Sequence, residues 1–107
     1  MIKDSLNIIK VGGAIVENEE SLQGLLMSFS SLKGRKILVH GGGKIATEVA
    51  AKLGVETQMI DGRRITSAEM LKVVTMVYGG LVNKNLVARL QALGVNAIGL
   101  TGADLNL

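Results

Sequence analysis

The sequence predicts an α/β protein, a three-layer αβα sandwich around a mainly parallel sheet. Three observations predict it. Short apolar runs alternate with stretches of helical period, in the order β-α-β-α-hairpin-α(α)-β. Three of those runs, 6–11, 36–40 and 95–100, meet glycine soon after their carboxyl ends. The chain is 48% hydrophobic but only 2% aromatic, with 14 Gly and no Pro, so small and branched apolar side chains must fill the interior. In such sheets ligands sit beyond the carboxyl ends of the strands, where these glycines converge.

LNIIKVGG (6–13) is a short apolar strand ending in glycines. Asn18 can cap the next helix, with Glu19 and Glu20 at its positive end. Leu22, Leu25, Leu26, Phe29 and Leu32 share one face of that helix, and Lys33-Gly34 ends it. Residues 36–40 (KILVH) form the second strand. After the glycines, Ile45, Ala46, Val49, Ala50 and Leu53 line a second helical face, closed by Gly54. VETQMIDGRRIT (55–66) is expected to be a β-hairpin, because Asp61-Gly62 favours a type I′ turn. Thr66 and Glu69 form a capping box for a helix with Met70, Val73, Val74 and Val77 on its apolar face. Gly79-Gly80 should kink or split it before a stretch with Leu86, Leu90 and Leu93, stopped by Gly94. VNAIGL (95–100) is predicted as another strand.

A chain of 107 residues makes one small domain. It has no Cys, which excludes disulfides, thiolate nucleophiles and sulfur ligands and fits a reducing cytoplasm. Its net charge of +3 comes with 12 scattered basic residues, one Tyr and one Phe. Nucleic-acid binding asks for a basic stripe and stacking aromatics, so no nucleic acid partner is expected. The sequence has neither a long apolar run nor a leader pattern, so no membrane partner is expected and the expected location is cytoplasmic.

Gly41-Gly42-Gly43 lies where a strand hands over to a helix. Without Cβ atoms the backbone can turn sharply and aim amide N–H groups at an anion. A tight turn for close strand–helix packing would use the same residues. KVGG (10–13) offers a second such turn. Lys10, near the end of a strand expected to be buried, could reach a phosphate beside Gly12 and Gly13; the alternative is a lysine snorkelling to the surface. Together the two turns would cradle a transferring phosphoryl group.

GGGKIA also fits G-x-G-x-x-A after a strand, with Asp61 where a ribose-binding acid would stand. That dinucleotide reading leaves the earlier strand–glycine turn unexplained, places its acid in a hairpin turn, and ignores Arg63 and Arg64. No Walker-type phosphate loop is present. The two arginines alternate along the hairpin, so only one can face the cleft. Arginine suits a carboxylate, while a pair of solvated hairpin charges fits the spacing equally. His40 has no nucleophile at triad spacing and reads as structural. Asn83 and Lys84 read as surface or packing residues, and Asp104 lies in the last glycine turn, where it could face the cleft.

KVGGA, VHGGGKIA, DGRRIT, MVYGGLVNKNLV and NAIGLTGAD, in that order, resemble the amino-acid kinase family, and within it the acetylglutamate kinases. The likeness runs from residue 8 onward. Aspartate kinases, glutamate 5-kinases and uridylate kinases share the lysine-glycine start, but HGGG followed by GRRIT points away from them. The resemblance implies transfer of the γ-phosphoryl of ATP, with Mg2+, to the side-chain carboxylate of N-acetyl-L-glutamate or another N-acylglutamate in arginine biosynthesis. It implies that Lys10 stabilises charge on the phosphoryl group in the transition state and that Gly12 and Gly13 form the phosphate-side turn. Gly42 and Gly43 would hold substrate and phosphoryl oxygens, and Arg64 would grip the substrate's carboxylate. Arg63 has no implied role. The chemistry agrees, because a carboxylate of pKa about 4.3 is ionised at neutral pH and needs no general base. The difficulty is repulsion between two anions, which N–H groups and a lysine relieve.

Members of that family are longer, and their second half binds the nucleotide. Residues 1–107 are therefore expected to be the N-terminal, acceptor-binding part of an amino-acid kinase domain, with the nucleotide-binding C-terminal part and the second catalytic lysine absent. Such a piece should be inactive alone and associate through exposed sheet. The first strand begins early, which by resemblance implies the arginine-insensitive, homodimeric type with 67–93 near the dimer contact. Two other functions stay open: a non-catalytic, arginine-sensing domain of the same fold, less favoured because Lys10 is present, and a nicotinamide dinucleotide-binding module.

Overall fold

The computed structural model describes residues 5–107. β1 (Leu6–Val11) and β2 (Arg35–His40) pair in parallel, from Leu6 opposite Arg35 to Val11 opposite His40. Parallel neighbours need a crossover, supplied by α1 (Gly13–Val16) and α2 (Glu19–Ser31). α2 starts as its sequence predicts, with the Asn18 side chain accepting from Ser21 N–H and two glutamates in the first turn. At its far end the Lys36 ammonium donates to the carbonyls of Phe29, Ser30 and Leu32 at 2.7–3.2 Å, which satisfies acceptors that a helix end leaves orphaned.

α3 (Gly43–Lys52) follows β2, and β3 (Gln58–Ile60) and β4 (Arg63–Ile65) then form the expected antiparallel hairpin. Asp61 and Gly62 take φ of 50° and 77°, the two positive values a type I′ turn requires. α4 (Ala68–Val74) departs from its predicted start. Ser67, not Thr66, caps it, its hydroxyl accepting from Met70 N–H at 3.1 Å, because Ser67 carries the extended backbone from which a side chain reaches the first turn.

Of the kink or split expected at Gly79-Gly80, the split does not occur. Helical backbone runs on through a π segment (Thr75–Val82) into α5 (Asn83–Ala92). Val77 and Val82 are buried along it, so tertiary packing overrides the poor helix propensity of two glycines. The predicted strand at 95–100 also differs: it joins no ladder. Side chains of α5 take its carbonyls instead, and a cavity of about 810 Å³ lies between it and β2.

The helices gather on one face of the sheet. Val11 joins Leu26, Phe29, Ala46, Met70, Val77 and Leu86 in one buried cluster, with Ile9 and Leu38 packed against it. The opposite face is bare, with Leu6, Ile8, Ile37 and Val39 44–62% exposed. The α/β class and the parallel sheet hold, but the described residues supply helices to only one of the two faces expected. The arginine-insensitive, homodimeric expectation turns on what precedes β1, and residues 1–4 lie outside the described ones. None of the described helices is long and apolar enough to cross a membrane.

Candidate functional site

Because β1 and β2 are parallel neighbours, the Gly12–Gly13 and Gly41–Gly43 turns lie side by side at one end of the sheet. Each opens a helix. The Gly12 carbonyl accepts from Ile15 and Val16 N–H at 3.1 and 3.3 Å, and the Gly42 carbonyl from Ala46 N–H at 2.9 Å. The first N–H groups of both helices have no intrahelical partner, so backbone donors collect at this end.

Gly42 explains why side chains are excluded there. Its backbone sits at φ 158°, ψ 24°, and a Cβ would lie 3.2 Å from Val82 Cγ2 and 3.6–3.7 Å from the Tyr78 ring. The π segment thus packs directly on the turn. At Gly43 a Cβ would meet neighbours only at ordinary contact distance. The nearest atoms to it beyond the adjoining backbone are the Tyr78 hydroxyl at 3.4 Å and Arg64 Nη2 at 3.7 Å.

Arg64 is the hairpin arginine that turns inward, half-buried where Arg63 is exposed. Its Nη2 donates to the Gly43 carbonyl at 2.8 Å and to Thr47 Oγ1 at 3.0 Å, while Nη1 lies 3.5 Å from Met70 Sδ. Thr47, overlooked in the sequence, also donates to the Gly43 carbonyl at 3.0 Å; its spacing of four from Gly43 was the available signal. A carboxylate gripped by Arg64 competes with these acceptors.

Lys10 is not buried. It faces the bare side of the sheet, opposite Val39, and has no hydrogen-bond or ion partner among the described residues. Strand alternation on a sheet covered on one face sends Val11 inward and Lys10 outward. It stands two residues before Gly12, at the sheet end that carries both turns. Glu17, also overlooked, lies 3.8 Å from Lys44 of α3 and 3.5 Å from the place of a Gly13 Cβ. Its carboxylate opposes an anion at the first turn, and Lys44 offsets it.

His40 and Asn83 close the inner side. His40 Nδ1 lies 2.9 Å from the Gly41 carbonyl, which can only accept, so Nδ1 carries the hydrogen and Nε2 accepts from Asn83 Nδ2 at 3.1 Å. Asn83 also donates to the Leu100 carbonyl at 3.3 Å and accepts from the Lys84 ammonium at 2.8 Å, and Lys84 donates to Gly99 O at 3.1 Å. Both ring nitrogens of His40 are therefore engaged within the protein. Of the surface or packing reading of Asn83, packing holds and surface does not, since it is 6% exposed and bonded to His40 and the Leu100 carbonyl.

Asp104 serves its own turn. It accepts from Thr101 N–H at 2.7 Å and from the Thr101 hydroxyl at 3.0 Å. Those bonds hold its carboxyl below the ordinary carboxylate range, with a smaller pull from Lys84. Asp61 sits exposed at the hairpin tip with a φ of 50°. The described residues gather no group of three His, Cys, Asp or Glu able to hold a metal ion.

Residues 5–107 match the profile of the amino acid kinase family. The chain belongs to that family. Among relatives, it is 68% identical over 104 residues to the acetylglutamate kinase of Parabacteroides distasonis, covering 97% of this chain and 41% of the relative. The acetylglutamate kinase of Bacteroides fragilis is 64% identical over 106 residues, with 99% and 41% covered. That of Methanopyrus kandleri is 42% identical over 99 residues, with 92% and 37% covered. The crystal structure of smu.665 from Streptococcus mutans UA159 superposes with a TM-score of 0.75 at 26% identity, over 94% of this chain and 41% of that one. The chain thus spans about 41% of the length of the first two relatives, and its amino acid kinase fold includes both glycine turns.

Proposed function

We propose that this chain is the acceptor-binding part of an ATP-dependent acetylglutamate kinase. It would act in the cytoplasm, as a homodimer, on the side-chain carboxylate of N-acetyl-L-glutamate or another N-acylglutamate. One observation carries the reading: Arg64 reaches back to Gly43, which sets a carboxylate-binding guanidinium beside a glycine turn that neighbours a second one. The named relatives support the same assignment.

In this reading Arg64 holds the substrate's non-reacting carboxylate, and the amides of Gly42 and Gly43 receive the reacting one. An oxygen of that carboxylate bonds to the γ-phosphorus while the bond to the leaving ADP oxygen breaks. No proton moves, because the acceptor is already ionised. Gly12, Gly13 and Lys10 take the charge that spreads over the transferring group. A donor so placed is worth about 2.7–4 kcal/mol of barrier, by analogy with oxyanion holes. ATP would bring Mg2+ with it, since the described residues gather no group of three His, Cys, Asp or Glu that could hold the ion.

Calorimetric titration of the chain with N-acetylglutamate, arginine and NAD tests the reading. Saturable heat with N-acetylglutamate alone is expected. Binding of arginine alone would make the fold a sensor, and binding of NAD alone would restore the dinucleotide module.

A further inference from the structure

The chain has one Tyr and no Trp, and the π segment sets that tyrosine against the glycine turn. The Tyr78 ring lies 3.6–3.7 Å from the place of a Gly42 Cβ, and its hydroxyl lies 3.4 Å from that of a Gly43 Cβ. Arg64 Nη2 stands 3.7 Å from the same second point. Both Nη2 hydrogens are committed, one to Gly43 O and one to Thr47 Oγ1. The Tyr78 hydroxyl has no hydrogen-bond partner among the described residues, and no buried side-chain polar atom among them is left unpartnered, so this hydroxyl is open to a ligand.

We propose that Tyr78 is a specificity-determining residue: its hydroxyl donates to the ligand carboxylate that Arg64 grips. This rests on the acylglutamate reading above. A carboxylate arriving at Arg64 finds fewer free donors than a bidentate guanidinium normally offers, and the phenol supplies the missing one. The ring is already packed on Gly42, so little side-chain freedom is lost when the bond forms.

The test is titration of the wild-type chain and Tyr78→Phe with N-acetylglutamate and with its α-amide, in which the non-reacting carboxylate is neutral. Phe keeps the ring packing, and thermal melts confirm that both proteins fold. A hydrogen bond to a charged group predicts roughly ten-fold weaker binding of N-acetylglutamate to the variant, with the α-amide bound equally by both. In the wild type, tyrosine emission reports Tyr78 alone and should change on saturation with N-acetylglutamate. Equal N-acetylglutamate affinity in the two proteins overturns the role of Tyr78 and leaves the kinase reading standing. So does an equal loss with both ligands, which would make Tyr78 a packing residue. No binding to the wild-type chain overturns the kinase reading and this inference with it.

Discussion

The Arg64 guanidinium donates to the Gly43 carbonyl at 2.8 Å, across 21 residues of sequence. That bond ties the hairpin to the turn after β2 and sets the guanidinium beside Gly43. Replacing it separates binding from folding. Arg64→Ala should weaken N-acetylglutamate binding at least ten-fold, since hydrogen bonds to charged groups are worth about 1.5–3 kcal/mol. The melting temperature should change little, because Thr47 still serves the Gly43 carbonyl. Arg64→Lys should not restore affinity, as an ammonium cannot reproduce the planar fork. Calorimetry on the three proteins decides; unchanged affinity in Arg64→Ala removes this residue from the site.

Asn83 satisfies His40 Nε2 and the Leu100 carbonyl together. Asn83→Ala strands both, with an expected loss of about 1–3 kcal/mol, or several degrees of melting temperature for a domain of this size. A Cβ at Gly99 would run into the Asn83 side chain, so Gly99→Ala should destabilise too. The double variant should lose less than the sum, because both changes act on one contact. Strict additivity in thermal denaturation would argue against a shared hub.

The bare face pairs Ile8 with Ile37 and lies open on both strands. Contiguous apolar surface of this kind drives association. Ile8→Lys combined with Val39→Lys should shift the chain toward monomer in sedimentation velocity while leaving its melting temperature within about a degree or two, as surface substitutions usually do. A drop in stability without a change in mass would show that the face is covered in solution.

The Asp104 carboxyl is held down by the Thr101 bonds. A carboxylate with a depressed folded-state pKa stabilises fully above its unfolded value, here 3.8, and loses that contribution as pH falls through the lower folded value. Protection of the Thr101 amide, taken relative to its intrinsic exchange rate at each pH, should therefore decline as pH falls below 3.8 in the wild type. In Asp104→Asn the acid-dependent part should vanish. Identical acid profiles in both proteins would dissociate the turn from this carboxyl.

Signals that act over a few residues were legible before any coordinates. Asn18 bonds three residues ahead, Asp61-Gly62 closes its own turn, and the α2 leucines lie on one stripe; each depends on backbone geometry that neighbours dictate. The site was half legible for the same reason. The two glycine turns announce themselves locally, and alternation allowed only one hairpin arginine to face the cleft without requiring that either did. Glu17, Tyr78 and the buried Asn83 were not legible, since nothing beside them in sequence indicates what they meet, and Thr47 offered only its spacing of four from Gly43.

By itself the sequence determined the order of elements as far as α5, the parallel pair with its glycine turns, and the hairpin that carries Arg64. Tertiary structure alone decided that helices cover one face, that the backbone passes Gly79-Gly80 unbroken, that Lys10 stands exposed, and that His40 meets a partner 43 residues away. The physical reason is range. Turns and caps satisfy their hydrogen bonds within the segment that encodes them, whereas burial and long-range polar pairing depend on which distant surfaces exclude water together.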